Sequence, residues 1–290
     1  MIRKAVIPAA GFGSRFLPAT KAQPKEMLPV IDTPTIQYVI EETVNSGITQ
    51  ILIITGKGKQ SIENHFDRSF QLEAELARTK KIKQLKEMER ISSMAEIFYI
   101  RQKELNGLGD AIRYARNFVD DEPFVVLLGD TIIHSKTPCV RQLVDIYNRY
   151  QRVILGAEQV PDSKVSRYGI IEGEQIAQGV NRVTRLLEKP EPTTTDSRLA
   201  IAGRYVLTAE IFGYLDSISP GKNGEIQLTD ALKLMSQEQK VLAYQFEGKR
   251  YDIGNKLEYL ISSVELGVLR EDIGYEFRNF LQQFVKRLDT

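Results

Sequence analysis

A glycine-rich turn that carries an arginine stands close to the amino terminus. After the apolar run from Lys4 to Pro8, the chain continues through Gly11 and Gly13 to Arg15. Two glycines let backbone amides approach a phosphate closely, and a guanidinium matches phosphate oxygens. A dinucleotide-binding fingerprint would need a third glycine where this chain has Phe16, so an NAD site is disfavoured. The turn indicates phosphate binding, with an ordinary strand-to-helix turn as the alternative.

A stiff segment with two lysines follows this turn directly. Prolines at positions 18, 24 and 29 prevent a continuous helix here, so we expect a rigid, shaped loop. Lys21 and Lys25 lie in this loop, where they can be held near phosphates. Lysines are more often simply solvated, but the stiffness of the segment favours a binding role.

The composition excludes several kinds of catalytic centre. The 290 residues include only two histidines, His65 and His134, and one cysteine, Cys139. Zinc sites rich in histidine or cysteine and internal disulfides are therefore excluded. Neither histidine lies near a Gly-x-Ser-x-Gly elbow, which disfavours a Ser-His-Asp nucleophile. Catalysis is expected to depend on carboxylates, lysines, arginines, backbone amides and a metal ion.

The overall charge indicates a small-molecule ligand rather than a polyanion. Lysine and arginine number 39 against 38 acidic residues, a formal net charge of +1. The basic run from Lys80 to Lys86 is followed by Glu87 and Glu89, and we interpret it as a solvated helix face. No apolar run approaches the roughly 20 residues of a membrane span. We expect no nucleic-acid partner, no membrane and a cytoplasmic location.

Strand-length apolar runs alternate with segments of helical periodicity, which predicts an α/β fold with a largely parallel sheet. A continuous helix is expected over 72–91, and Ser61 is expected to cap a short helix that ends at Phe66. Short strands with little helix between them over 165–210 predict a small mixed-sheet lobe. The predicted strands are 4–8, 50–55, 97–100, 124–128, 153–158, 169–172, 183–188, 199–207 and 241–246, and the other predicted helices are 35–45, 109–117, 140–150, 209–216, 227–236, 256–269 and 275–288.

The run from Gly11 to Pro29 resembles the signature of the sugar-1-phosphate nucleotidylyltransferases. Its Pro-Lys-Glu-Met stretch, Pro24 to Met27, is similar specifically to the bacterial UTP–glucose-1-phosphate uridylyltransferases. The thymidylyltransferase branch tends to show Ser-Lys-Gln-Leu at that place. Further matches follow in order at 101–102, 107–109, 128–130, 167–169, 188–190, 203–206, 224–230 and 248–254.

This resemblance implies a fold and an activity. The fold is a Rossmann-like nucleotidyltransferase domain over 4–266, with a mostly parallel central sheet flanked by helices. A nucleotide half, about 4–160, precedes a small mixed-sheet sugar-binding lobe, about 161–250, and a helical extension ends the chain at 267–290. The activity is Mg²⁺-assisted transfer of UMP from UTP to glucose-1-phosphate, without a covalent intermediate, giving UDP-glucose and pyrophosphate. The long amphipathic helices at the end also favour a homodimer or a higher homo-oligomer.

The same resemblance implies roles for individual residues. Asp130 and Asp252 are the expected metal ligands, and two carboxylates are what Mg²⁺ commonly takes from a protein. The expected nucleotide-binding residues are Ala10, Gly11, Gly13, Ser14, Arg15, Lys25, Gln102, Gly107 and Gly109. The expected sugar-binding residues are Gly169, Glu188, Lys189 and Gly203, and the expected catalytic residues are Arg15, Lys25, Asp130 and Lys189.

Two departures from the family pattern leave alternatives open. Asp110 stands where close relatives usually have histidine, and Thr131 stands where some have a second acid. An added carboxylate near phosphates would repel them, so Asp110 is expected to affect nucleotide affinity or base choice. The alternatives are a nucleotidylyltransferase with another NTP or sugar phosphate, and a catalytically silent regulatory homologue. The silent homologue is disfavoured, because it would be expected to have lost some of the charged site residues, which are all present.

Overall fold

The computed structural model describes residues 2–221 and 224–288, and it alternates strands and helices along the chain. The strands are β1 Lys4–Pro8, β2 Pro29–Val30, β3 Thr33–Pro34, β4 Gln50–Thr55, β5 Glu96–Arg101, β6 Phe124–Leu127, β7 Thr131–His134, β8 Val153–Gln159, β9 Gly169–Ala177, β10 Val180–Glu188, β11 Leu199–Leu207, β12 Val241–Gln245 and β13 Lys249–Asp252. The helices are α1 Thr35–Asn45, α2 Gln60–Phe66, α3 Phe70–Arg78, α4 Ile82–Ser93, α5 Leu108–Arg113, α6 Arg116–Val119, α7 Cys139–Tyr150, α8 Ile211–Ser217, α9 Leu228–Gln237, α10 Lys256–Leu269 and α11 Gly274–Leu288.

One sheet runs through both predicted halves of the chain. Its strand order is β5-β4-β1-β6-β11-β8-β12-β10-β9. All of these strands run in the same direction except β10 and β11, which pair antiparallel with their neighbours. The predicted mostly parallel sheet with a mixed part is confirmed. The mixed part is one end of the central sheet rather than a separate sheet, because β11 lies between β6 and β8.

The sheet is buried on both faces by helices, which explains why its strands are continuous apolar runs rather than alternating ones. Side chains alternate between two cores because successive residues of a strand point to opposite faces. Val6 and Leu52 belong to the core under α5, α8 and α9, whereas Ile7 and Ile51 belong to the core under α1, α2 and α7. The expected flanking by helices on both faces is therefore confirmed.

Three predictions about helices are wrong. The stretch expected as one helix over 72–91 forms α3 and α4, and Lys80 between them has a left-handed φ of 56° that ends the first helix. Ser61 does not cap α2, because the helix already begins at Gln60 and Lys59 occupies the cap position. The helix expected over 109–117 is likewise two short helices, α5 and α6.

The predicted end of the chain is only partly described. The helices α10 and α11 confirm the two expected helices, but the predicted extension 267–290 ends on residues 289 and 290, which lie outside the described residues. Within 2–221 and 224–288, no helix is both long enough and apolar enough to cross a membrane.

A buried ion pair joins the centre of the sheet to two helices. Arg204 of β11 is fully buried, and its guanidinium donates to the carboxylate of Glu42 on α1 at 2.8 Å. The same carboxylate accepts the backbone N–H of Val140 at the start of α7 at 3.1 Å. Arg204 also donates to the carbonyl oxygen of Thr131 at 2.7 Å. The pair thereby fixes the turn that follows β6, which carries Asp130.

This network predicts a large and asymmetric effect of mutation on stability. Glu42→Gln should lower the free energy of unfolding by about 3–5 kcal/mol, because it leaves a buried guanidinium without its counter-charge. The double variant Glu42→Leu/Arg204→Met should lose less than the single variant, since it removes both charges. Urea unfolding followed by circular dichroism measures both values.

The control for this prediction is Glu87→Gln, which removes one partner of the exposed pair Arg90–Glu87. An exposed pair of this kind contributes about 1 kcal/mol or less. If Glu42→Gln costs no more than Glu87→Gln, the buried pair does not have the structural role described here.

Candidate active site

A cleft of about 880 Å³ opens beside the phosphate turn and is bounded by both predicted halves of the chain. It lies where β1 and β6 end, and open α/β sheets bind ligands at the carboxyl ends of their strands. The structure brings eleven of the predicted site residues together in its lining: Gly11, Gly13, Ser14, Arg15, Lys25, Asp130, Gly169, Glu188, Lys189, Gly203 and Asp252.

The predicted shaped loop consists of three single-turn 3₁₀ helices, Ser14–Phe16, Ala19–Lys21 and Lys25–Met27, so it contains no continuous α-helix. Gly13 has a left-handed φ of 67°, and a Cβ added there would lie 2.9 Å from the Cβ of Lys25. Thr20 closes the loop by donating its hydroxyl hydrogen to the carbonyl of Gly13 at 2.8 Å. Only glycine combines this backbone conformation with such a close approach of Lys25.

Lys25 and Asp130 form an ion pair at the floor of the cleft. The ammonium nitrogen of Lys25 lies 2.5 Å from Oδ2 of Asp130, and both side chains are about a quarter exposed or less. Burial opposes the charge on Lys25, but the attraction of Asp130 and Glu26 outweighs it and raises the pKa of Lys25. Burial also opposes the charge on Asp130, but Lys25 outweighs it and lowers the pKa of Asp130. The pair therefore keeps both groups charged at neutral pH.

A second ion pair, between Glu26 and Lys59, anchors the proline-rich loop that carries Lys25. The carboxylate of Glu26 is 1% exposed and accepts a hydrogen bond from the ammonium group of Lys59 at 2.8 Å. Burial raises the pKa of Glu26, although Lys25 and Lys59 oppose this change. Because Glu26 points away from the cleft and Lys25 points into it, the pair anchors the backbone that presents Lys25. The sequence contained no signal for this contact, which joins residues 33 positions apart.

Both carboxylate oxygens of Asp252 are already engaged. The backbone N–H of Gly254 donates to Oδ1 at 2.8 Å, and the hydroxyl of Tyr168 donates to Oδ2 at 2.6 Å. Arg15 donates to the carbonyl of Gly254 at 3.2 Å. Burial, the largest cause, raises the pKa of Tyr168, so its hydroxyl stays protonated and remains a donor. Asp252 is therefore held in one orientation.

The two predicted metal ligands face one small space. A Cβ added at Gly254 would lie 2.7 Å from Oδ1 of Asp252, 3.6 Å from Nη1 of Arg15 and 3.7 Å from Oδ2 of Asp130. Two carboxylates with room for further oxygen ligands fit Mg²⁺, which keeps several waters and phosphate oxygens in its coordination shell. Across 2–221 and 224–288 no group of three or more His, Cys, Asp or Glu side chains is placed to hold a metal ion. The donor set suits a metal whose other ligands come from substrate.

The opposite wall of the cleft carries Glu188 and Lys189. The carboxylate of Glu188 forms an ion pair with the ammonium group of Lys189 at 2.9 Å and accepts a hydrogen bond from the hydroxyl of Thr229 at 2.7 Å. Lys189 has a left-handed φ of 45°, a backbone conformation that is uncommon for residues other than glycine. Thr229 was not predicted, although it lies within the matched run 224–230.

The glycines predicted for the sugar site pack closely against neighbouring side chains. A Cβ added at Gly169 would lie 2.9 Å from Cδ1 of Ile201, and one added at Gly203 would lie 3.1 Å from Cδ1 of Leu128. Gly203 also has a left-handed φ of 75°. The backbone conformation of Gly203 therefore favours glycine, whereas an added Cβ at Gly169 would meet only the end of the Ile201 side chain. The contact of either glycine with a sugar stays a prediction.

Four predicted nucleotide-binding residues lie outside the cleft lining: Ala10, Gln102, Gly107 and Gly109. Gly107 and Gly109 pack against Ile226, because an added Cβ at either position would lie 2.7–2.8 Å from its carbonyl oxygen. The N–H of Gly109 donates to that carbonyl at 2.8 Å. These glycines have a structural reason for their size, and their predicted contact with the base stays a prediction.

Asp110 and Thr131, the two departures from the family pattern, lie in different surroundings. The carboxylate of Asp110 accepts the side-chain amide of Gln102 at 2.8 Å. Thr131 lines the cleft beside Asp130. The carboxylate of Asp110 thus has a neutral donor as its partner, and the expected repulsion of phosphates stays a prediction.

Comparison with known proteins identifies the family of this chain. The family model described as nucleotidyl transferase matches residues 4–266. The chain belongs to the nucleotidyl transferase family. It is 49% identical over 286 residues to the UTP–glucose-1-phosphate uridylyltransferase of Bacillus subtilis strain 168, covering 99% of this chain and 98% of that protein. The resemblance to the bacterial UTP–glucose-1-phosphate uridylyltransferases, which the sequence motifs predicted, is confirmed.

Solved structures extend the comparison to the fold. A UDP-glucose pyrophosphorylase complexed with UDP-glucose is 41% identical, with a TM-score of 0.86 over 93% of this chain and 100% of that chain. The UTP-bound UGPase from Acinetobacter baumannii is 38% identical, with a TM-score of 0.90 over 97% of this chain and 99% of that chain. The predicted nucleotidyltransferase fold is confirmed over nearly the whole length of this chain.

Because Gly254 borders the space between Asp130 and Asp252, a methyl group added there is expected to affect metal binding. Gly254→Ala should weaken binding of a divalent cation by about tenfold or more, because the new Cβ displaces the Asp252 carboxylate. Mn²⁺ binding in the presence of UTP, followed by electron paramagnetic resonance, measures the change. Gly213→Ala is the matched control, since a Cβ at Gly213 meets nothing within 4 Å. Equal Mn²⁺ affinities in the two variants would show that the metal lies elsewhere.

Proposed function

We propose that this protein transfers UMP from UTP to glucose-1-phosphate, releasing pyrophosphate and UDP-glucose. The observation that carries the proposal is the arrangement of one cleft. Two carboxylates, Arg15 and Lys25 form one group in its lining, and Glu188 with Lys189 forms another. Similarity over the whole chain to uridylyltransferases, and to structures named for UTP and UDP-glucose, supports the same substrates.

The chemistry is in-line attack of a phosphate oxygen of glucose-1-phosphate on the α-phosphorus of UTP. It needs no covalent intermediate, so the protein contributes positioning and charge neutralisation. The two substrates bring roughly six negative charges, at up to two for each terminal phosphate. We propose that Arg15 and Lys25 neutralise the triphosphate and that Lys189 neutralises the sugar phosphate. Mg²⁺ held by Asp130 and Asp252 would neutralise phosphate oxygens and orient them.

Each substrate is assigned to groups on one side of the cleft. The backbone from Ala10 to Ser14 is proposed to receive the phosphates, and Gln102 with the Gly107–Gly109 turn to receive the uracil. Glu188 is proposed to accept hydroxyl protons of the glucose, with Gly169 and Gly203 beside the ring. We also propose that the enzyme works in the cytoplasm, because its single cysteine allows no internal disulfide, and that it has no nucleic-acid partner, because its formal net charge is only +1.

The activity is tested with a matrix of nucleotides and sugar phosphates. The purified protein with Mg²⁺ should release pyrophosphate fastest from UTP and glucose-1-phosphate, and chromatography should show UDP-glucose. Slower release is expected with dTTP, CTP or galactose-1-phosphate. A preference for another pair would assign a different transferase of the same family, and no release from any pair would contradict catalysis altogether.

Lys189→Ala tests how the two substrates are divided between the two walls. A charge-assisted contact contributes roughly 1.5–3 kcal/mol, so loss of the ammonium group should weaken UDP-glucose binding at least tenfold. Binding of UTP alone should change little, and calorimetry measures both constants. If UTP binding weakens as much as UDP-glucose binding, Lys189 contacts the nucleotide and the sugar wall is assigned wrongly.

We also propose that a second copy of the chain covers the outer face of α10 and α11. Of α11, only Gly274 is buried among the residues that the structure describes. Exposed large apolar side chains cluster here: Leu257, Leu260, Ile261, Val264, Tyr275, Phe280, Phe284, Val285 and Leu288. Soluble monomers rarely expose a continuous apolar patch of more than a few hundred Å², and a stable dimer buries about 1,600 Å² in total.

The oligomer is tested by placing one charge in this face. Phe280 is 51% exposed, and Phe280→Lys should shift the protein from dimer to monomer in sedimentation equilibrium at micromolar concentration. Phe70→Lys is the matched control, because Phe70 is 69% exposed and belongs to α3 rather than to these two helices. A parent protein that already sediments as a monomer would contradict the proposal.

A further inference from the structure

Tyr168 lies between the two walls of the cleft and contacts both. Its hydroxyl donates to Oδ2 of Asp252 at 2.6 Å, and its carbonyl oxygen accepts the backbone N–H of Lys189 at 3.1 Å. The residue directly precedes Gly169, at the start of β9. One residue therefore joins the wall assigned to the sugar to the carboxylate assigned to the metal.

The ring of Tyr168 is itself held in place. The guanidinium of Arg250 lies over the ring at 4.1 Å from its centre, and Arg250 forms a partly buried ion pair with Glu158 of β8. A cation stacked on an aromatic face is attracted by the ring electrons, and the ion pair fixes the position of that cation. The phenol can therefore reach Asp252 from one direction only.

The carboxylate of Asp252 has two hydrogen-bond donors with different origins. Gly254 holds Oδ1 through its backbone, which the chain provides locally, whereas Tyr168 holds Oδ2 from 84 residues away. With only the local bond, the carboxylate could still rotate about that contact. With both bonds, its plane is set and Oδ1 faces the space shared with Asp130 and Arg15.

We propose that Tyr168 is a positioning residue that orients Asp252 for a divalent cation. Hydrogen bonds of this kind to metal-binding carboxylates typically contribute about 10–100-fold to metal affinity. Tyr168 should act on metal binding through Asp252, with no direct part in the reaction. The inference rests on the proposed function only through the assignment of Asp252 as a metal ligand.

Tyr168→Phe removes the hydroxyl and keeps the ring under Arg250. Mn²⁺ is the probe, and its affinity for the protein with saturating UTP is measured by electron paramagnetic resonance. We expect about tenfold weaker Mn²⁺ binding in this variant. The Mg²⁺ concentration for half-maximal rate should rise by a similar factor, whereas kcat at saturating Mg²⁺ should stay within about twofold of the parent, because excess metal restores the lost occupancy.

The matched control is Tyr38→Phe, which also loses one hydroxyl hydrogen bond, to the carbonyl of Val30 at 3.3 Å, outside the cleft. Its Mn²⁺ affinity should equal that of the parent. Unchanged Mn²⁺ affinity in Tyr168→Phe would overturn the positioning role. A fall in kcat that excess Mg²⁺ does not restore would also overturn it, since Tyr168 would then act in the reaction.

Failure of this inference can be told apart from failure of the proposed function. If the parent forms UDP-glucose and Tyr168→Phe binds Mn²⁺ as tightly as the parent, only the role of Tyr168 is wrong. If the parent forms no UDP-glucose and Tyr168→Phe still loses Mn²⁺ affinity, the positioning role stands and the substrates are assigned wrongly.

Discussion

The ion pair between Lys25 and Asp130 is the interaction on which the cleft depends. The proposed chemistry needs an anion for the metal and a cation for the phosphates at nearly the same place. Both groups are mostly withdrawn from water, where an isolated charge would lose its solvation. Their 2.5 Å contact keeps both charged before any ligand arrives. The proline-rich loop and the turn after β6 must therefore be held in register with each other.

Two buried ion pairs fix the relative position of the proline-rich loop and the turn after β6, one pair for each segment. Glu26 and Lys59 fix the loop that presents Lys25, and Glu42 with Arg204 fixes the turn that presents Asp130. In each pair at least one side chain is 1% exposed or less, and a buried charge with no partner is costly, so each pair specifies one arrangement of the backbone around it. The stability of the sheet and the geometry of the cleft thus depend on the same contacts.

The fold could be predicted from local patterns, because strands buried on both faces are continuous apolar runs. The bounds of β1, β4 and β11 agree with the sequence to the residue. The split between α3 and α4 could not be predicted, since the left-handed residue Lys80 resembles any other lysine in sequence. In the site, motifs indicated which charged residues the fold brings into one cleft. Contacts such as Tyr168 with Asp252 join distant residues through tertiary packing, which single-sequence patterns do not report.

The cations of the cleft already have partners, and this determines what binding must accomplish. Lys25 pairs with Asp130, Lys189 pairs with Glu188, and Arg250 pairs with Glu158. A phosphate that binds to Lys25 without a metal would face the unscreened carboxylate of Asp130. A metal that binds to Asp130 without a phosphate would face the ammonium group of Lys25. Under the proposed function, metal and nucleotide therefore favour each other, because together they exchange one internal ion pair for two external ones.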